Sequence, residues 1–331
     1  MKLKRTELIK TAKFYLGKSK SYIGLILVII FAAVFSPYRH GENIFLGLGN
    51  LTDILRQVSE KGILAVGMTL VILTAGIDLS VGRVLAFGAT LCAALLIKLD
   101  WGTFSVVIAV LLASTFLGLI NGVVTTKGKI QPFVVTLAMM SAAWGLARYI
   151  SGGYAIGIAF GEGKGMAPHS FKLFGERITS HLPFPAVIFV FTVIISEIIL
   201  KYTRFGRYII AIGGNEEASY LSGISIDRIK IAVYSISGFL SGLAGIIHCA
   251  QNEQGNPNDG VAYELDAIAA VVIGGTNLLG GSGNVTGTFA GILIIGILNN
   301  IMNLRGINPD LQLILKGVII VAAVLIQRKR K

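Results

Sequence analysis

Long apolar stretches broken by short polar segments set the pattern of this chain. Ten such stretches read as helices able to cross about 30 Å of hydrocarbon. They are Ser21–Ser36, Ile63–Ala75, Val84–Leu99, Thr103–Val124, Phe133–Ile150, Phe184–Leu200, Ile231–Ala250, Leu265–Leu279, Val285–Leu304 and Leu311–Ile326. Two are short. Ile63–Ala75 extends backward through Asn50–Gly62, where Asn50 or Thr52 is a helix-capping type. Leu265–Leu279 covers only about 22 Å at about 1.5 Å per residue, so it reads as tilted, broken or re-entrant. The predicted fold is all-α and polytopic: a basic tail over 1–20, a membrane body over 21–327 with a long polar loop at 201–230, and a basic tail at 328–331.

Composition agrees. The chain is 54% hydrophobic and 14% charged over 331 residues, well under the roughly 25% charged of soluble domains. That composition argues against a soluble enzyme and against a disordered chain. The two cysteines, Cys92 and Cys249, lie in separate apolar runs and form neither a disulfide framework nor a metal motif.

Charge orients the chain. With ten crossings both termini fall on one side, and 19 of the 29 Lys and Arg residues collect there, including Arg83, Lys127, Lys129 and the 201–230 loop. By the positive-inside rule that side is cytoplasmic. Of the 17 acids, 11 fall on the other side. The net charge of +12 then reads as basic tails at anionic lipid, and no aromatic-interleaved basic patch suggests nucleic acid.

Catalytic and coupling chemistry is missing from the pattern. Gly17-Lys18-Ser19 mimics the end of a phosphate loop, but the required glycine is replaced by Ala12. No span carries a central acid by this reading, so proton or sodium coupling has no visible carrier. Glu197 with Lys201, Lys316, His248 and Arg148 all read as near-surface or satisfied groups. His169 and His181 of the Ser151–Pro183 loop read as solvated. The small-residue pairs Gly118–Gly122, Gly238–Gly242 and Gly287–Gly291 read as helix-packing ridges.

Three polar motifs interrupt the apolar pattern. Thr74–Gly82 (TAGIDLSVG) and Gly274–Gly283 (GGTNLLGGSG) align when Gly76 is set on Gly275: Asp78 meets Asn277 and Gly82 meets Gly281. The match is confined to the motifs and hints at a duplicated half. Asp78 and Ser80 are types that cap a following helix, and the turns are candidates for an inner gate. The third motif, Thr203–Ile224, contains a short helix: Asn215 as N-cap, Glu216 and Glu217 favourable to the helix dipole, Ala218 to Leu221 continuing and Gly223 ending it. A short capped helix presented to the cytosol suits docking of a soluble partner.

These motifs resemble the membrane permease of ribose-type monosaccharide ABC importers. The matching strings are Met68–Gly82, Thr203–Arg207, Ala211–Ala218 and Tyr263–Thr276, with Leu298–Asn300 and Leu304–Ile307 also fitting. They cover the chain from about Asn50 onward and favour the sugar branch over the branched-chain amino-acid branch. The resemblance implies an inner-membrane, multi-pass chain with no ATPase site of its own. It implies a second permease copy, identical or paralogous, a cytosolic ABC ATPase that carries ATP and Mg, and an extracytoplasmic sugar-binding protein. It places the coupling helix in Gly213–Gly223, with Gly213, Gly214, Asn215, Glu216, Glu217, Ala218, Leu221 and Gly223 as coupling residues. The chain departs at Ser219-Tyr220, where many relatives have small or basic residues, and this bears on partner pairing. Gly76, Asp78, Ser80, Gly82, Gly274, Gly275 and Asn277 are the residues of the two turn motifs, candidates for the gate on the residue pattern alone. Thr69, Thr74, Asn121, Gln131, Asn299 and Asn300 are candidates for lining the path. Ribose is the first cargo, with galactose, xylose, a furanose or autoinducer-2 as alternatives. A stand-alone facilitator or channel, and a membrane scaffold or receptor subunit, are the rivals of other classes.

Overall fold

The computed structural model describes residues 20–179 and 181–328. The basic N-terminal segment before residue 20, with the Gly17-Lys18-Ser19 motif, and the terminal 329–331 lie outside the described residues. Each of the ten apolar runs overlaps a helix of its own, although the run Leu265–Leu279 is helical only as far as Ile273. In chain order these are α1 (Lys20–Phe35), α2 (Leu48–Leu73), α3 (Val81–Lys98), α4 (Thr103–Lys127) and α5 (Pro132–Ser151). After the one-turn α6 (His169–Lys172) come α7 (Phe184–Tyr202), α8 (Arg204–Gly214), α9 (Glu216–Leu221), α10 (Ile226–Asn252), α11 (Tyr263–Ile273), α12 (Val285–Leu304) and α13 (Pro309–Arg328). Six of them, α3, α4, α5, α7, α10 and α12, are long and apolar enough to cross a membrane, and α1 holds a shorter apolar stretch, Ser21–Phe35. Among the described residues, strands are confined to two-residue pairs. Tyr38–Arg39 pairs antiparallel with Glu42–Asn43, and Ile156–Gly157 with Gln254–Gly255.

α8 was not foreseen as a helix. Thr203 caps it, its hydroxyl accepting from the Gly206 N–H at 3.2 Å, and Ile209 and Ile212 form its buried stripe. That three-residue spacing was the signal available in the sequence.

α10 is the hub, packed against α2, α3 and α4. Its approach to α4 is a backbone contact made where glycines face each other. A Cβ on Gly118 would overlap the Tyr234 carbonyl, and one on Gly238 the Ser114 carbonyl. Gly287 and Gly291 of α12 lie equally close to the Gly274 and Ala270 carbonyls. The three small-residue ridges are therefore packing surfaces, as small-xxx-small pairs are in membrane bundles.

Two departures from the sequence reading change where charges sit. First, α2 does run back past Ile63, but to Leu48, with Gly47 as its N-cap and no side-chain cap. Thr52 instead donates to the Gly49 carbonyl, and Asn50 bonds Asn300. Second, the short eighth crossing is a composite. Beyond α10 the segment 253–262 folds back along α3, so that Gly255 lies against Ala89 and Ala93, and Gly260 against Gly82. Gly82 is about 24 Å along α3 from Lys98 at about 1.5 Å per residue. α11 starts from that depth, so its 11 residues reach the far end. Of the three readings for this span, a broken crossing is the one found. Irregular backbone at this depth is tolerated because protein satisfies it: Arg83 donates to the carbonyls of Asn258 and Asp259 at 3.3 and 3.2 Å.

Arg83 departs from the topology expected of the charge pattern, which sets it among the basic residues of the α9 end. Its guanidinium instead faces the 253–262 segment and stacks 5.0 Å from the Trp144 ring centre. The charge asymmetry survives the loss of one cation.

Candidate functional site

The three motifs separated in sequence meet at one point. α2 and α11 end in the same way. Ala75 and Gly275 sit at positive φ (60° and 91°). Gly76 N–H bonds the Val71 carbonyl at 3.1 Å, and Thr276 N–H bonds the Val271 carbonyl at the same distance. Both are Schellman closures. Each turn is then held by its own acid or amide: Asp78 Oδ1 accepts from Ser80 N–H at 3.0 Å, and Asn277 Oδ1 from Leu279 N–H at 3.1 Å. The alignment of Asp78 with Asn277 thus corresponds to a shared local geometry. The helix ends, however, pair Ala75 rather than Gly76 with Gly275, so the second turn is one residue shorter.

The turns touch each other and the segment leading into α9. Gly281 N–H donates to the Leu73 carbonyl at 3.1 Å. Gly213 lies so close that a Cβ there would overlap the Leu73 carbonyl and sit 2.5 Å from Gly281 N; a Cβ on Gly281 would be 2.7 Å from Gly214 Cα. Only residues without Cβ allow three backbones to converge this tightly. A Cβ on Gly214, in contrast, would meet nothing within 4 Å.

From this junction α9 projects outward. Asn215 caps it, Oδ1 accepting from Ala218 N–H at 2.9 Å, with Glu216 and Glu217 in the first turn. Gly223 (φ 81°) ends it, and Ile224 N–H returns to the Ser219 carbonyl. Glu216 pairs with Lys230 at 2.7 Å, tying α9 to α10, and Lys127 pairs with Asp227 at 2.6 Å across the neighbouring helix ends. Ser219 is buried; Tyr220 and Leu221 are 70% and 79% exposed. Lys127, Glu216, Tyr220 and the 223–228 segment border an open groove. Two large exposed apolar groups thus stand beside acids and a groove at one end of the bundle.

Deeper in the bundle lie acids that the sequence reading placed outside it. The expectation that no span carries a buried acid is overturned, because α2 is longer and α11 starts deeper than their apolar cores suggested. Asp78 is fully enclosed and accepts from Ser80 N–H, from the Ser80 hydroxyl at 2.6 Å and from the Ser237 hydroxyl at 2.8 Å; Asn121 donates to Ser80 Oγ at 3.0 Å. Asp78 closes its own turn and ties α2 to α10, whereas Ser80, the N-cap of α3, makes no side-chain cap bond. Glu60 of α2 lies 2.8 Å from His248 Nδ1 and accepts from the Tyr263 hydroxyl at 3.2 Å, while His248 Nε2 lies 2.9 Å from Asp259. Asp266 of α11 bridges Lys61 at 2.8 Å and Lys316 at 3.3 Å. Lys316 is thus held by an acid inside the bundle rather than reaching out to the surface.

Glu197 forms the foreseen pair with Lys201, at 2.7 Å. It is not a surface group: it is buried and also accepts from the Val285 and Thr286 N–H groups at 2.9 and 3.3 Å. A carboxylate there satisfies two free donors and the positive end of α12. Glu197→Gln is expected to destabilise the chain by about 1–2 kcal/mol, read as a lower melting temperature in detergent; an unchanged melt would remove this role.

The six candidate lining groups do not form one surface. Thr69 is buried and bonded to Thr288 at 2.7 Å, Thr74 is buried on the Val71 carbonyl, and Asn121 is buried on Ser80. Gln131 is exposed at the start of α5. Asn300 bonds Asn50 at 2.8 Å. Asn299 lines two clefts, between α2, α11, α12 and α13, and Asn121 borders a third, open one between α4 and α5. His169 and His181 are exposed, and no cluster of metal-ligating residues occurs among the described residues.

Comparison with known proteins assigns residues 50–324 to the family described as branched-chain amino acid transport system / permease component. The chain is similar to the ribose import permease protein of Haemophilus influenzae, 43% identical over 320 residues and 96% of both chains. It is 41% identical over 313 residues to the ribose import permease protein of Bacillus subtilis, covering 93% of this chain and 92% of the relative. The L-arabinose transport system permease protein of Escherichia coli K12 is 36% identical over 305 residues, 92% of this chain and 90% of the relative. No solved structure matches.

Proposed function

The chain belongs to the branched-chain amino acid transport system permease component family, and we propose that it is the membrane-spanning subunit of an ATP-driven sugar importer, with ribose as its cargo. The sugar assignment rests on relatives named for ribose, L-arabinose and galactose or methyl galactoside import. Hydrolysis of ATP with Mg belongs in this reading to a separate cytosolic ATPase, and delivery of sugar to an extracytoplasmic binding protein. A second permease copy completes the pathway. The α9 end faces the cytosol, with both termini on that side, which agrees with the excess of Lys and Arg there.

One observation carries the reading: α9, the exposed docking knob, is joined through Gly213 and Gly214 to the turns that end α2 and α11. Movement imposed on α9 by an ATPase reaches two crossings at once. A facilitator acting alone has no use for such a linkage. The buried acids do not require ion coupling either, since Glu60, Asp78, Glu197 and Asp266 are each held by the donors named above.

Docking is tested with Glu217→Arg, a charge reversal at an exposed position of α9. In the reconstituted complex, sugar-stimulated ATP hydrolysis is expected to fall about tenfold, equivalent to about 1.4 kcal/mol of interface energy. Wild-type stimulation in this variant would sink the docking assignment. Sugar carried into liposomes by the chain without an ATPase would favour the facilitator.

A further inference from the structure

The Lys61–Asp266–Lys316 cluster has more donors than it uses. Two ammonium groups share one carboxylate, and the positive charge left over is joined through Tyr263 to the Glu60–His248–Asp259 group, whose two carboxylates outnumber its one imidazole, so the two clusters together carry no net positive charge. Each ammonium has three N–H donors; Lys61 also lies 4.3 Å from the Tyr263 ring centre. Beside the cluster, Asn299 Oδ1 is buried and has no hydrogen-bond partner. Asn299 and Ile295 line both adjoining clefts, one bordered by Asp266, Leu298, Met302 and Lys316, the other by Gln57, Lys61 and Gly296. An orphaned acceptor next to surplus donors is what an array of hydroxyl groups satisfies, each hydroxyl both giving and taking a hydrogen bond.

Depth selects the ligand. Lys61 is the fourteenth residue of α2, about 20 Å from the start of that helix at about 1.5 Å per residue. A lipid headgroup does not reach that far. α11 also begins here, so its N-terminal dipole points into the bundle at mid-depth, with Glu264 and Asp266 in its first turn. Broken crossings of this kind place binding sites at the centre of transporters.

We propose that Lys61, Asp266, Asn299 and Lys316 form a monosaccharide contact on the transport path, taking a neutral polyol rather than an anion. The inference rests on the sugar-importer reading above. The two clefts are narrow in this conformation, with room for about 20 and 50 Å³, enough for isolated waters. Sugar therefore enters when α13, which packs chiefly on α11, moves away from α2.

The test is protection of an introduced thiol in the full chain held in nanodiscs, without partners. Cys92 and Cys249 are buried, so the parent chain gives the background. Ile295→Cys, at a residue that lines both clefts, is treated with a small methanethiosulfonate reagent in the presence of D-ribose, sucrose or inorganic phosphate. Phe104→Cys, on a 78% exposed position of α4, is the control. D-Ribose at ten times the half-protecting concentration is expected to slow labelling of Cys at 295 about tenfold by mass action, with no effect of sucrose and none at 104. Lys61→Met in the Ile295→Cys background should abolish the protection. Labelling unaffected by ribose, equal protection at 104, protection by phosphate but not ribose, or protection that survives Lys61→Met would each overturn the proposal. ATP-driven ribose uptake by the wild-type complex is measured in parallel. Uptake without protection sinks this site and leaves the importer reading standing; failure of uptake sinks both.

Discussion

Gly213→Ala is expected to cut sugar uptake per ATP hydrolysed about tenfold, while Gly214→Ala, one residue on, leaves it unchanged. The difference is geometric. The new Cβ at 213 has nowhere to go except into the Leu73 carbonyl and the Gly281 N–H, both backbone groups that cannot rotate aside. At 214 the methyl enters open space. Forcing one carbon into packed backbone costs about 1–3 kcal/mol. Every 1.4 kcal/mol is about a factor of ten, so the variant should either push the turns apart or lose the α9 linkage. ATP hydrolysis on the partner is expected to continue, because the docking face of α9 is untouched. Uptake and phosphate release measured on the same proteoliposomes check this. Equal behaviour of the two variants would remove the junction from the mechanism.

Asp78→Ala is expected to be the most destabilising single change in the first turn. It strips the acceptor from the Ser80 N–H and from two hydroxyls, on Ser80 and Ser237, inside a closed interior. Intramembrane hydrogen bonds average about 0.6 kcal/mol, which sets a floor near 2 kcal/mol for three. Donors left unpaired cost about 1–3 kcal/mol each, which sets the upper side. Asp78→Asn keeps one acceptor oxygen and should fall between alanine and wild type. Thermal melting in detergent orders the three chains. If alanine melts with wild type, Asp78 does not hold the turn.

Much of the architecture was legible because a membrane helix announces itself locally. Ten apolar runs became ten helices, and the Asn215 cap, the acidic first turn of α9 and the Gly223 stop follow from residues that are neighbours in sequence. Depth was not legible. Glu60 and Lys61 precede the Ile63–Ala75 run and Asp266 is the second residue of the Leu265–Leu279 run, and their charges made them look like loop residues. They are inside because α2 begins at Leu48 and because 253–262 folds back beside α3. Arg83 was misplaced for the same reason: its carbonyl partners come from 175 and 176 positions away. The junction itself was half visible. The two turn motifs aligned in sequence, yet nothing local said that Leu73, Gly213 and Gly281 would touch. The candidate lining groups scattered because Thr69, Thr74 and Asn121 are each bonded separately within the packed interior, to Thr288, the Val71 carbonyl and Ser80.

In the proposed mechanism α9 and the turn motifs move as one body. Spin labels on Leu221→Cys in α9 and Leu279→Cys in the second turn, both exposed positions, report it directly in the assembled complex. A second pair, Leu279→Cys with Leu112→Cys on the exposed face of α4, reports motion of the turn within the bundle. When ATP binds, the 221–279 distance is expected to stay fixed while the 279–112 distance changes. A 221–279 distance that changes while 279–112 stays fixed would mean that α9 moves alone, and would contradict the account.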